Sequence, residues 1–141
     1  MMSRAVQAKS KPPAPAPSPQ RKSGPIGIKR VYEAASDDDG LRVLIDRLWP
    51  RGVSKVKLAC DLWVRDLSPS NALRTWYGHD PKRWADFRRR YRGELAEHRD
   101  ELAALRLRTQ GRAVTLLTAT REVELSHAIV LRELLEEKRR R

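Results

Sequence analysis

The chain has 141 residues, enough for one folded domain, and its net charge is +12. Its single cysteine, Cys60, excludes a disulfide framework, and no apolar run approaches the roughly 18 residues of a transmembrane helix. We therefore expect a cytoplasmic protein that does not associate with membranes.

The positive charge is concentrated at the two ends of the chain. Residues 1–24 hold five basic residues, five prolines and no acid, and residues 138–141 are all basic. Removing these nine charges leaves +3 for residues 25–137, so the body lacks the basic face of a protein that reads a DNA groove. We expect a disordered Pro/Ala/Lys-rich tail over residues 1–24, a domain over residues 25–137 and a basic end. These ends suit weak, non-specific nucleic-acid binding.

Two strands are predicted at the start of the domain. Residues 27–32 alternate loosely, and residues 42–48 include Val43-Leu44-Ile45, an apolar run typical of a strand buried on both faces. Between them, Asp37-Asp38-Asp39-Gly40 indicates a turn. We interpret the acidic triplet as a solvated loop, because it lacks the ligand spacing of a metal site.

The middle of the chain predicts a short strand over residues 62–67, followed by helices. Ser68-Pro69 has the pattern of an N-cap with proline at the first helical position, ahead of a short helix over residues 70–77 that stops at Gly78. Asp80-Pro81 repeats this start signal.

A long amphipathic helix is predicted after Pro81 because apolar side chains recur at steps of three and four. It ends at Gln110-Gly111, and we expect a break near Gly93 or His98. The stripe predicts core residues, and we interpret His98 within it as an interior or boundary histidine. Its members are Trp84, Phe87, Tyr91, Leu95, His98, Leu102 and Leu105.

The last elements are a buried strand over residues 113–118 and a final helix that runs to about residue 138. Thr120 and Ser126 are both candidate N-caps. We prefer Ser126, because Leu125 and Val130 then occupy the positions of a hydrophobic staple and His127 becomes the first helical residue.

This order predicts a small single α/β domain with a short, mostly parallel sheet and helices packed on it. Residues 42–48 should pair in parallel with residues 113–119, crossed by the helices between them. The two strands then end at the same edge of the sheet, where ligands bind in open α/β folds.

Polar side chains converge at this edge. We expect free N–H groups of the last helix, at about residues 127–129, to point there as well, and helix N-termini near arginines bind phosphates or carboxylates. The partner that this pattern predicts is a small anionic, nucleotide-like ligand, with Trp49 and either Trp76 or Tyr77 as a flat apolar wall. The predicted ligand-binding residues are Arg47, Trp49, Arg51, Thr118, Thr120 and Arg121.

Hydrolytic or transfer chemistry at this site has less support in the sequence. His127 is a candidate acid or base, and Asp46 a candidate base or orienting residue. Thr118 and Thr120 are weak nucleophiles, and the histidine spacing indicates no metal or other cofactor. Three alternatives stay open: a structural ion network around Asp46, a nucleic-acid-associated protein that uses its basic ends, and a partner-binding module without chemistry.

The run Asp-Arg-Leu-Trp-Pro-Arg-Gly at residues 46–52 resembles the signature of the YeaO-like family, small bacterial proteins grouped as a domain of unknown function. The resemblance extends from about residue 28 to residue 135. It includes Gly78-His79, Val114-Thr115-Leu116-Leu117 and His127-Ala128. It implies a compact α/β domain in the bacterial cytoplasm and no established activity.

Larger distant relatives in this resemblance carry cysteines after the later strand and at the following helix start. The matching positions here are Thr118 and Ser126-His127-Ala128. Because both thiols are absent, the resemblance argues against thiol chemistry in this chain.

Overall fold

The computed structural model describes the backbone of residues 26–139 and the side chains of residues 26–137. The predicted tail over residues 1–24 and the side chains of the basic end lie outside this part of the chain. Within it, four parallel strands form one sheet in the order β1-β4-β2-β3, which confirms the α/β fold class. The strands are β1 (Ile26–Arg30), β2 (Leu41–Leu44), β3 (Leu62–Trp63) and β4 (Val114–Thr118).

The central strand, β4, pairs on both sides. Leu41 to Leu44 of β2 lie opposite Val114 to Leu117, as predicted, and β1 pairs with the other side of β4. Leu44 and Leu117 are fully buried, as expected for strands covered on both faces.

Strand β2 is shorter than predicted, because it ends at Leu44 rather than residue 48. The Ile45 N–H still donates to Leu117 O at 3.1 Å. At the next step, the Ala119 N–H donates to the Asp46 side chain instead of a backbone carbonyl, at 2.8 Å. The Asp46 carboxylate therefore takes the place of a backbone acceptor, and the chain leaves the sheet at this residue.

Five α-helices accompany these strands in the described residues. The predicted long helix breaks at His98 and not at Gly93, and the last helix begins at His127, as the Ser126 cap predicts. Each of these helices is too short or too polar to span a lipid bilayer. They are α1 (Lys55–Leu58), α2 (Asn71–Tyr77), α3 (Trp84–Glu97), α4 (Arg99–Thr109) and α5 (His127–Arg139).

The main hydrophobic core lies between one face of the sheet and helices α3, α4 and α5. The predicted stripe supplies it, with Phe87, Tyr91 and Leu95 nearly inaccessible to solvent. His98, at the junction of α3 and α4, is only partly buried. A smaller cluster covers the other face of the sheet and includes Leu44, Leu58 and Leu117.

Two predicted boundaries are wrong around α2. Ser70, not Ser68, is the N-cap, and its Oγ accepts the Leu73 N–H at 3.1 Å. The Ser68 hydroxyl instead donates to Arg65 O, at the end of a 3-10 turn over Arg65–Leu67. This turn, in place of the second half of the predicted strand, leaves only Leu62–Trp63 in the sheet.

The interpretation of the acidic triplet as solvated is wrong for Asp39. Its carboxylate is buried against the Arg42 guanidinium of β2 and lies 2.8 Å from Lys29 Nζ of β1. Arg42 also donates to Leu58 O through Nε and Nη2. Burial raises the pKa of Asp39, but hydrogen bonds from Lys29, the Ser36 N–H and Arg42 outweigh it and hold the pKa below its ordinary value.

Asp39→Asn should lower the free energy of unfolding by about 3–5 kcal/mol at neutral pH, because it leaves the buried Arg42 guanidinium without its counter-charge. The stabilisation by Asp39 is complete above the ordinary aspartate pKa and is lost as the pH falls through the lowered folded-state pKa. Urea unfolding at neutral and acidic pH should therefore show a difference that shrinks in acid.

The matched control is Asp37→Asn, which changes an exposed carboxylate in the same turn. We expect it to change the unfolding free energy by less than about 0.5 kcal/mol. Equal stability of the Asp39 and Asp37 variants would contradict the assigned role of the buried ion network.

Candidate functional site

A cavity of about 580 Å³ opens where β2 and β4 end. It contains most of the residues that the sequence predicts for the site. The exception is Arg121, which is exposed and does not line the cavity. The predicted residues that line it are Asp46, Arg47, Trp49, Arg51, Thr118, Thr120 and His127.

The Asp46 carboxylate joins three elements at the floor of this cavity. Its Oδ1 accepts the Thr118 hydroxyl at 2.8 Å and lies 3.0 Å from His127 Nε2, while its Oδ2 accepts the Ala119 N–H at 2.8 Å. Asp46 and His127 are mostly buried, with 18% and 14% of their side chains exposed. The end of β2 is thereby fixed to the end of β4 and to the first residue of α5.

The charge of Asp46 is stabilised in this position. Burial raises the pKa of the carboxyl group, but the hydrogen bond and electrostatic attraction of His127, with the bonds from Ala119 and Thr118, outweigh burial. The pKa of Asp46 is therefore lower than that of an ordinary aspartate, so the group accepts hydrogen bonds as an anion at neutral pH.

Arg47 does not pair with its sequence neighbour Asp46. Its Nη2 donates to Pro69 O at 3.2 Å and lies 3.5 Å from Ser68 O, so backbone carbonyls hold the guanidinium against the cavity. Within residues 26–137, the Arg47 Nε and the Thr120 hydroxyl are buried and have no hydrogen-bond partner. Both side chains line the cavity.

The start of α5 differs from the expectation of free N–H groups. The Ala128 N–H donates to Ser126 Oγ at 3.2 Å, and the Ile129 N–H donates to Ser126 O at 3.1 Å. Because Ser126 already satisfies these donors, they are not available to an anion.

The aromatic wall is partly as predicted. Trp49 lines the cavity and packs edge-on against Trp63, with its Nε1 donating to Val53 O. Tyr77 also lines the cavity, and its hydroxyl donates to Leu125 O at 2.7 Å. Trp76 does not line it, and its ring instead contacts the guanidinium groups of Arg83 and Arg90.

Sequence reasoning missed several residues of this wall, among them Arg74 and His79. Arg74 precedes Tyr77 by three positions, so the two share a helix face, and this spacing was an available signal. His79 depends on the path of the chain after α2, which no spacing predicts.

Hydroxyl groups on the cavity wall are largely engaged with the protein. Thr118 donates to Asp46, Ser126 to Val123 O and Ser68 to Arg65 O. Over the described residues, no group of three or more His, Cys, Asp or Glu side chains is arranged to hold a metal ion. The site therefore consists of the His127 imidazole and the Asp46 carboxylate, which contact each other, and of arginines that line the cavity.

Comparison with known proteins identifies relatives without an assigned activity. Residues 25–141 match the family described as "Inactive DUF488-N3 subclade". Rv3073c, an uncharacterised protein of Mycobacterium tuberculosis (strain ATCC 25618 / H37Rv), is 46% identical over 110 residues, which cover 78% of this chain and 92% of that protein. The uncharacterised protein YeaO of Escherichia coli (strain K12) is 40% identical over 110 residues, covering 78% of this chain and 96% of YeaO.

No solved structure matches the chain significantly. The family match covers most of the chain, and the similarity to YeaO extends over nearly the whole of that protein. The chain therefore belongs to the YeaO-like bacterial proteins of unknown function, within the group described as the inactive DUF488-N3 subclade.

Proposed function

We propose that the cavity at the ends of β2 and β4 binds a small anionic ligand that bears a phosphate or carboxylate group and has about the size of a nucleotide. Charge supports this proposal. Arg47, Arg51 and Arg74 line the cavity with a single carboxylate, Asp46, and within the described residues none of these arginines forms an ion pair. Asp46 is already bonded to Thr118, Ala119 and His127, so it offsets the arginines only in part.

Four buried side-chain atoms lack a hydrogen-bond partner in the part of the chain that the structure describes, namely Arg47 Nε, Arg92 Nη1, Arg106 Nε and Thr120 Oγ1. The observation that carries the proposal is that Arg47 and Thr120 line the cavity, whereas Arg92 and Arg106 do not. Buried donors nearly always have a partner, and a missing partner points to a molecule that occupies the space. Both side chains line one cavity, which is why we assign them to one ligand. An anion suits the guanidinium better than a neutral group.

The shape of the cavity agrees with a ligand that also has a flat apolar part. Its volume of about 580 Å³ lies within the usual range for small-molecule sites. Trp49, Tyr77 and Phe87 contribute apolar surface beside the arginines. A ligand with one charged end and one ring would use both kinds of wall.

We infer binding rather than turnover. The hydroxyls of Thr118 and Ser126 donate to other protein groups, and the matching family is described as inactive. The acid–base roles of Asp46 and His127 stay a prediction of the sequence. Their contacts support a role in shaping the floor of the cavity.

Arg51→Ala should weaken binding of inorganic pyrophosphate or nucleoside monophosphates about tenfold or more, because a charged hydrogen bond contributes about 1.5–3 kcal/mol. Arg51 is exposed, so the unliganded variant should unfold at the wild-type temperature. Thermal unfolding at increasing ligand concentration measures both quantities, since a ligand that binds the folded state raises the midpoint.

Arg108→Ala is the matched control, since Arg108 is an exposed arginine that does not line the cavity and its loss changes the net charge equally. It should keep the wild-type response. If no phosphate- or carboxylate-bearing compound raises the unfolding temperature of the wild type, the proposed function is wrong.

Asp46→Asn should lower the free energy of unfolding by about 2–3 kcal/mol at neutral pH. The substitution removes the charged acceptor of several hydrogen bonds, and the new amide N–H group faces donors that it cannot accept. The Asp46 carboxylate stabilises the folded state fully when the pH is above 3.8, the ordinary aspartate pKa. This stabilisation is lost as the pH falls through the lowered pKa of the folded state. The difference from wild type should therefore shrink below about pH 4.

Chemical denaturation across this pH range is the measurement for Asp46, and Asp66→Asn, which changes an exposed carboxylate, is its control. A difference between Asp46→Asn and wild type that stays constant down to pH 2 would show that the carboxylate is not held as an anion by its neighbours.

A further inference from the structure

The Gly78-His79 pair after α2 contains more backbone strain than helix termination requires. Gly78 is the C-cap, with φ of 53°, and its N–H donates to Arg74 O at 3.0 Å. One left-handed residue is enough to end a helix in this way. His79 follows with φ of 58°, a region that side chains with a Cβ seldom adopt.

The surrounding chain imposes this conformation on His79. The Asp80 N–H donates to Tyr77 O at 2.9 Å, and Asp80 in turn caps a 3-10 turn over Pro81–Arg83. The turn leads directly into α3. His79 is therefore held between two fixed points, and its strain is maintained by the fold.

His79, in this left-handed conformation, lines the cavity. Its ring lies 5.9 Å from the Tyr77 ring, and the side chain is exposed. Within the described residues, neither of its ring nitrogens has a hydrogen-bond partner, in contrast to His127, which contacts Asp46. His79 thus presents to the site an imidazole that makes no hydrogen bond to the described part of the protein, on a backbone that is strained.

We propose that His79 is a ligand-binding residue that donates a ring N–H to the anionic group of the ligand, on the α2 side of the cavity together with Arg74. This inference rests on the proposed anion-binding function. An imidazole has an N–H donor whether it is neutral or protonated, so the contact does not need a positive charge on His79. Backbone strain is commonly found at such ligand-binding positions.

The first test uses His79→Gly, because glycine accepts the left-handed conformation and removes only the imidazole. We expect the unliganded variant to unfold at or above the wild-type temperature, and its affinity for pyrophosphate, measured by titration calorimetry, to fall about fivefold to tenfold. His98→Gln is the control, since His98 does not line the cavity, and it should bind like the wild type.

The outcomes separate this inference from the function on which it rests. Wild-type affinity in His79→Gly, with weakened binding in Arg51→Ala, overturns the role of His79 and leaves the anion site intact. A lowered unfolding temperature with unchanged affinity also overturns it, because the imidazole would then support the loop. If the wild type binds neither pyrophosphate nor any nucleoside monophosphate, the proposed function and this inference both fail.

The second test observes the imidazole directly. The chain has three histidines, so the ring resonances in an NMR spectrum can be assigned from the His79 and His98 variants. Addition of pyrophosphate should shift the His79 ring resonances and leave those of His98 in place. A saturated wild-type protein whose His79 resonances have not moved would overturn the proposed contact.

Discussion

The position of the Asp46 carboxylate determines the architecture of the site. It receives Thr118 and Ala119 from the end of β4 and contacts His127 at the start of α5, so one charged group fixes three chain segments. These contacts use side chains where the sheet ladder has stopped, and the cavity opens at this edge of the sheet.

Charged residues at the two ends of β2 have opposite surroundings. At its beginning, Arg42 is closed off by Asp39 and Leu58 O, and both charged side chains are only 6% exposed. Beyond its end, Arg47 is held by backbone carbonyls, and its buried Nε has no partner among the residues that the structure describes. The network around Arg42 is closed and structural, whereas Arg47 lines a cavity that contains more arginines than carboxylates, which is the basis of the proposed anion site.

The candidate site combines rigid and strained parts. Its floor is built from a strand end and a helix start, and its α2 side ends in the left-handed Gly78-His79 pair. Loops placed on a rigid scaffold are where binding residues concentrate.

Periodicity and turn chemistry in the sequence were enough to determine the α/β class, the parallel pairing of β2 with β4 and the start of α5 at His127, because burial patterns and caps are local signals. The same signals predicted that Asp46 and His127 would meet at the carboxyl edge. Only the tertiary structure decided that Asp39 is buried, that Ser126 occupies the helix donors and that Arg74 and His79 join the cavity. These outcomes depend on contacts between segments distant in the chain, and on a backbone angle imposed by the neighbouring turn, for which residue spacing carries no information.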